Sequence, residues 1–203
     1  ENFQKPLRMR PVAKKLIKQK KSLPKDLSVG KLSQALKGKK IALAISGGIG
    51  ATEAVKIARE IRRHGAYVKA FVSPQARKFI TPLSVEWATL EKPVLKAGPQ
   101  VEYLEVFDAV LVCPATLHTL AKSALGLAQN VVDLVIANQL GALGNVLMVP
   151  AMNQQLWDHP SLKGHLEKLK SWGAKLYPSH KEEDRIKVPE AKILVQWLIE
   201  ELR

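Results

Sequence analysis

The chain has 203 residues, with 32 Lys and Arg against 18 Asp and Glu, a net charge of +14, 46% hydrophobic residues and one cysteine. That hydrophobic fraction excludes a disordered body, no apolar run approaches the roughly 20 residues of a bilayer-spanning helix, and one cysteine excludes a disulfide scaffold or a multi-cysteine zinc site. Residues 1–40 carry +11 of the charge and the rest only +3, so the basic balance describes an N-terminal arm and gives no nucleic-acid signal for the body.

The arm, residues 1–37, divides at Pro24 and Gly30. Residues 12–21 suit a short basic helix with Val12, Leu16 and Ile17 on one side, but disorder with partial docking is the expectation for 1–25. Leu32, Ala35 and Leu36 are placed to dock a turn against the body. The arm lacks a continuous apolar core, so no secretory signal is expected. With its single Cys113, the chain fits a reducing, cytoplasmic setting.

From residue 40 onward strands alternate with helices. Residues 41–45 (IALAI) form a continuous apolar run, the mark of a strand buried on both faces. A helix is expected over 52–64, with Ala54, Val55, Ala58 and Ile61 on one face and Gly65 as its stop. The second strand is 67–72, followed by a helix over 74–80 with Pro74 leading. Residues 109–113 (AVLVC) make a third buried strand. Residues 117–137 are mostly helical with a break near Gln129-Asn130. A fourth strand covers 146–149, then come a helix over 155–171, a short strand over 174–177 and a terminal helix over 189–202.

This alternation implies right-handed crossovers and an α/β fold: a three-layer α/β/α Rossmann-like sandwich on a parallel sheet, one body over 38–203. Ligands of such sheets bind at the carboxyl edge, near the point where strand order reverses. The strand ends are therefore where function is expected.

Ser46-Gly47-Gly48-Ile49-Gly50-Ala51 follows the first strand, and its small residues let backbone N–H groups approach an anion closely. It is not the dinucleotide fingerprint, because position 53 is Glu and the second strand ends in Ser73 rather than an acid. It also lacks the Gly-Lys-Ser/Thr of a Walker loop. A tight turn and a mononucleotide site are about equally compatible with the motif alone, and Ser73 favours the mononucleotide. Pro114-Ala115-Thr116-Leu117-His118-Thr119 follows the third strand, and its threonines suit either helix capping or contact with a phosphate. His118 is either an acid–base group or a solvated surface residue. After the fourth strand come Pro150-Ala151-Met152-Asn153, where the Asn amide suits a carboxylate or amide ligand, or a helix cap. Trp157 just beyond reads as a core residue.

Together, SGGIGA, PATLHT with the following Ala124-Leu125-Gly126-Leu127-Ala128-Gln129-Asn130, and Met152-Asn153 with QQLW resemble the homo-oligomeric flavin-containing cysteine decarboxylases. The nearest branch is phosphopantothenoylcysteine decarboxylase of coenzyme A biosynthesis. The resemblance spans about residues 38–178 and implies FMN as cofactor, held at a subunit interface of trimers or multiples of trimers. It implies flavin contacts from Ser46, Gly47, Gly48 and Ile49, from Ser73 and from Phe79 in the segment beyond, from Pro114, Ala115, Thr116 and Thr119, and from Met152. It casts Asn153 as the substrate-binding Asn.

Two departures bear on activity. The family's catalytic His stands eight residues before an Asp. Here Asp108 and Val101-Glu102-Tyr103 keep the pattern, but Gln100 occupies the His position and cannot accept a proton as a base. The family's catalytic Cys lies in a Gly-rich flap, whereas residues 179–187 (SHKEEDRIK) contain neither Cys nor Gly. His180 in that segment is expected among solvated charges, and Cys113 inside a strand is expected to be inert. The expectation is an FMN-binding flavoprotein with altered or no decarboxylase activity. The alternatives are a working phosphopantothenoylcysteine decarboxylase, which a related flavoprotein in a hetero-oligomer could complete, and a regulatory or anionic-polymer-binding protein acting through its basic arm.

Overall fold

The computed structural model describes residues 27–203 with the exception of residues 180 and 183; the helix considered at 12–21 and His180 lie outside the described residues. Strands β1 (Lys40–Ile45), β2 (Tyr67–Val72), β3 (Ala109–Ala115) and β4 (Val146–Pro150) are the predicted apolar runs, and β3 and β4 are buried along their whole length. Two more short strands follow, β5 (Met152–Asn153) and β6 (Lys175–Leu176). The main sheet is five-stranded, in the order β2-β1-β3-β4-β6, and every pairing is parallel. Strand order reverses between β1 and β3, so the carboxyl ends of these two strands form the switch-point crevice.

Period-two alternation sends successive strand residues to opposite faces. Ile41, Leu43, Ile45, Leu111 and Leu147 face one side, where they pack against helices α1 (Ala54–Arg63), α2 (Pro82–Thr89) and α7 (Ala191–Glu201). Ala42, Ala44, Val110, Val112 and Met148 face the other, against α3 (Leu117–Ala124), α4 (Val131–Gly141) and α6 (Pro160–Ser171). The three-layer sandwich expected from the sequence is the observed architecture.

Three helices differ from expectation. Residues 74–80 form only a 3-10 turn over Ala76–Lys78. The Ser73 hydroxyl accepts from the Ala76 N–H at 3.1 Å and closes a single turn there. The true helix, α2, starts where Thr81 caps and Pro82 takes the first position, the two-residue signal that starts helices. The expected 117–137 helix is two, because Asn130 builds a full capping box with Asp133 that starts α4 afresh. The expected 155–171 helix also splits, into α5 (Gln154–Trp157) and α6, since Pro160 opens α6 with His159 as its cap.

The docked end of the arm crosses the α1 end of the molecule. Leu36 is buried and its N–H bonds the His64 carbonyl at 2.9 Å, while Leu32 stays largely exposed. Arg62 and Arg59 reach the carbonyls of Leu27 and Ser28 at 3.1 and 3.2 Å. Gly65 turns with φ 93, and a side chain there would press on the Lys37 backbone at 3.3 Å. Among the described residues no helix is long and apolar enough to cross a membrane.

A small second sheet was not foreseen. Strands β7 (Lys181–Glu182) and β8 (Arg185–Ile186) form a hairpin, and β8 pairs antiparallel with β5. Asp184 supplies the left-handed conformation (φ 54) that so tight a reversal requires. Strands β7 and β8 thus form a strap tied down beside the carboxyl edge of the sheet through β5.

Candidate functional site at the strand switch point

The crevice is fastened across the switch point by Ser46, whose hydroxyl donates to the Pro114 carbonyl at 2.6 Å. This joins the end of β1 to the end of β3. Beside it Gly47 passes so close to Gln75 that a Cβ would stand 2.3 Å from the Gln75 Cβ. Only glycine fits that approach. Gly50 is confined by Val188, just beyond the strap, at 2.8 Å from an added Cβ.

Two cavities open from this junction and share Gly47, Thr116 and His118 as wall. The smaller, about 520 Å³, is lined by Ser46, Ser73, Thr119, Asn130 and the Lys122–Asp133 pair. Thr116 caps α3, accepting from the Thr119 N–H at 3.4 Å, and its hydroxyl lies 3.2 Å from that of Thr119. The first N–H groups of α3 begin at this cap, next to the hydroxyls, an arrangement that favours an anion. Lys122 and Asp133 form a buried ion pair, and Asp133 also accepts from the backbone N–H groups of Gln129 and Asn130, both at 3.2 Å.

The larger cavity, about 1140 Å³, runs from the Gly48–Gly50 turn past Pro114 to Met152, Asn153 and the strap. Asn153 caps α5: its Oδ1 accepts from the Leu156 N–H at 2.9 Å. One lone pair of the amide oxygen is therefore taken, and the Nδ2 donors remain free of that cap. His159 also lines this cavity, with Nδ1 accepting from the Ser161 N–H at 3.2 Å as the cap of α6. An Nδ1 that accepts leaves the Nε2 nitrogen of the neutral ring carrying the proton.

Of the residues expected at the site, Ser46, Gly47, Gly48, Ile49, Ser73, Pro114, Thr116, Thr119, Met152 and Asn153 line one cavity or the other. Three do not. Ala115 is buried within β3, opposite Pro150. Phe79 is exposed beyond the 3-10 turn, and Gln100 is exposed on the loop before β3. Next to Gln100, Val101 adopts φ 47, a conformation β-branched residues rarely take. Asp108 lies at the opposite, amino edge of the sheet. Burial pushes its carboxyl up, but the Lys40 N–H and the Lys39 ammonium outweigh this and hold it below its ordinary range. It ties the start of β1 to the start of β3.

Cys113 is fully buried in β3; burial, with a smaller contribution from Glu53, pushes its thiol far above the ordinary range. It supplies no nucleophile or acid to the cavities. The sequence reasoning missed Gln75, the Lys122–Asp133 pair, His159, the strap residue Arg185 and the adjoining Lys187. A His directly before Pro160 was a legible cap signal, whereas the strap's placement depends on pairing with β5, more than 30 residues away in sequence.

The family model described as Flavoprotein matches residues 29–203. The coenzyme A biosynthesis bifunctional protein CoaBC of Thermococcus kodakarensis is 39% identical over 177 residues, covering 84% of this chain and 44% of that protein. The chain spans less than half the length of the curated relatives it matches. Among solved structures, a Cys-to-Ser mutant of PPC decarboxylase complexed with pantothenoylaminoethenethiol superposes with a TM-score of 0.68 at 21% identity, over 79% of this chain and 96% of that one. The FMN binding protein AtHal3 gives 0.67 at 21%, over 80% and 95%. These two share the fold of this chain. By the span of the family match and the identity to CoaBC, the chain belongs to the flavoprotein family of flavin-containing cysteine decarboxylases.

Proposed function

We propose that the two adjoining cavities bind FMN, the phosphate in the hydroxyl-lined cavity at the start of α3 and the ring system in the larger one. The observation that carries this reading is that both cavities share Gly47, Thr116 and His118 as wall, on the switch point. The fit is chemical. Ser73 accepts from Ala76 N–H and keeps its own O–H to donate, and the α3 N-terminus favours an anion. Gly47 leaves backbone where a side chain would stand. The family membership and the printed name of AtHal3 support FMN as the flavin. When bound, the flavin supplies a two-electron acceptor beside a substrate thiol.

On this reading the chain is a flavin-binding domain of the coenzyme A branch, a basic arm over 1–37 followed by the flavin-binding unit over 38–203. It acts in the cytoplasm as a homotrimer, which light scattering of the purified chain tests directly. Its decarboxylation is altered or lost, because Gln100 stands at the family His position and no cysteine lines either cavity among the described residues. The imidazoles that line the larger cavity are His118 and His159, with the carboxylates of Glu53 and Asp184 in the same wall. General acid–base groups are worth about 10²–10⁴-fold in rate. The FMN-loaded chain is therefore expected to convert phosphopantothenoylcysteine at least about 100-fold more slowly than a family member with both groups.

The 39% identity to a CoaBC protein favours one other reading, a working phosphopantothenoylcysteine decarboxylase. Turnover of phosphopantothenoylcysteine by the chain alone, at a rate equal to such a family member, establishes that second reading and overturns the first.

A further inference from the structure

The hydroxyl-lined cavity contains an acceptor that a phosphate dianion does not suit. Asp133 stands in its wall with the side chain 2% exposed. Four donors reach its carboxylate: the Lys122 ammonium, the backbone N–H groups of Gln129 and Asn130, and the Asn130 Nδ2 at 2.7 Å. All four go to Oδ2, and among the described residues none reaches Oδ1. What Asp133 leaves to the cavity is a carboxylate oxygen without a donor.

Charge points the same way. Among the described residues the titratable groups lining this cavity are His118 and Lys122 of α3 and Asp133 of α4; the ends of β1 and β2 and the α3–α4 loop bring no charge to it. The other charges on elements packed against α4 stand toward its far end. There Lys69 and Glu102 pair at 3.7 Å, beside the turn that Asn138 and Gln139 hold, and Lys40 and Asp108 meet at the amino edge. Lys122 and Asp133 neutralise each other, so the His118 imidazole is the remaining source of positive charge in the wall. A dianion here would face the Asp133 carboxylate in a poorly solvated site, where neighbouring like charges oppose each other's ionisation. A phosphate monoester that keeps one proton avoids this. Its O–H donates to Asp133 Oδ1, while its other oxygens accept from the N–H groups that Lys122 does not give to Asp133 and from the start of α3.

We propose that Asp133 is a specificity-determining residue for the phosphate, which the chain binds as the hydrogen-phosphate monoanion, its proton shared with Asp133 Oδ1. This rests on reading the smaller cavity as the flavin phosphate site. The bound phosphate then keeps a proton that the free monoester gives up above about pH 6. Affinity is therefore full below that pH and falls as pH rises through it, and above it each FMN is taken up together with a proton.

The test titrates flavin-free chain with FMN in two ways. Calorimetry at about pH 7.5, in buffers of different ionisation enthalpy, counts the protons taken up; flavin fluorescence follows affinity from about pH 6 to about pH 8. The expected results are close to one proton per FMN and an affinity about 50-fold lower at the upper pH. Riboflavin 5′-sulfate, a monoanion with no proton to donate, should bind at least about tenfold more weakly than FMN at about pH 6, with no such slope. In Asp133→Asn the amide oxygen takes the place of Oδ2 and leaves an N–H toward the phosphate, so proton uptake and slope should both disappear. Should that variant not fold, the wild-type proton count decides alone. His118→Gln should keep the uptake. FMN bound without a proton overturns the proposal, and so does an uptake that disappears in His118→Gln, which puts the proton on the imidazole. A sulfate ester bound as tightly as FMN at about pH 6 also overturns it. Failure of the flavin reading shows separately, as protein that takes up no FMN at any pH, and it removes this proposal with it.

Discussion

Gly47 lies against Gln75 so closely that a Cβ on the glycine would stand 2.3 Å from the Gln75 Cβ and 3.0 Å from its carbonyl carbon. The contact brings the end of β1 against the loop after β2, and Ser46 and Ser73 line the hydroxyl cavity on either side of it. Gly47→Ala must push the 73–75 loop away. The expected result is a stability loss of about 1–3 kcal/mol, the usual cost of forcing an extra carbon into a packed site. FMN affinity should fall about tenfold or more with it. Thermal melts and flavin-fluorescence titrations of the same variant check both.

The buried Lys122–Asp133 pair forms part of the floor of that cavity. Removing one partner strands the other's charge in a poorly solvated site. Lys122→Met and Asp133→Asn are each expected to cost about 3–5 kcal/mol, and the double variant less than the sum of the two by about 1 kcal/mol or more. A denaturant-unfolding double-mutant cycle measures this; strict additivity would show that the two groups are not coupled.

Much of this architecture was legible in the sequence because it depends on local pattern. The apolar runs at Ile41, Ala109 and Val146 have the pattern of strands buried on both faces, and with the strand at Tyr67 they place the four strand-end motifs. What was not legible arises where two local signals compete or where the partner is distant. Pro74 offered a helix start, but Ser73 spent that turn on a hydroxyl-to-backbone bond, and the Thr81-Pro82 pair started the helix eight residues later. The strap is a run of charges with no strand period, so its pairing with Met152–Asn153 follows from the tertiary fold alone.

His159 joins α6 to the larger cavity by capping the helix with Nδ1. His159→Ala leaves the Ser161 N–H without its partner and is expected to cost about 1 kcal/mol, while His159→Asn, a good capping residue, should retain most of that stability. Equal losses in the two variants, measured by denaturant unfolding, would show that the cap contributes nothing.

Cys113 gives the molecule a signature in alkali. Its thiol is raised far above the ordinary range by burial, so the folded chain keeps the proton after the unfolded chain has released it. The unfolded thiol titrates near about 8.5; above that the unfolded state binds fewer protons, and stability falls with rising pH by up to about 1.4 kcal/mol per unit. Tyr67 and Tyr177, also raised by burial first of all, add in the same direction above about pH 10. Between pH 8.5 and 10 the slope should disappear in Cys113→Ala. The native thiol should also resist alkylation at pH 8 and react only on unfolding.

The central claim, a mononucleotide flavin held across the switch point, is tested most directly by titrating flavin-free chain with FMN and, in parallel, with riboflavin, following flavin fluorescence. Saturable uptake of one FMN per chain, with riboflavin bound at least about tenfold more weakly for want of the phosphate, is the predicted result. No uptake of FMN, or equal affinity for the two flavins, would contradict it.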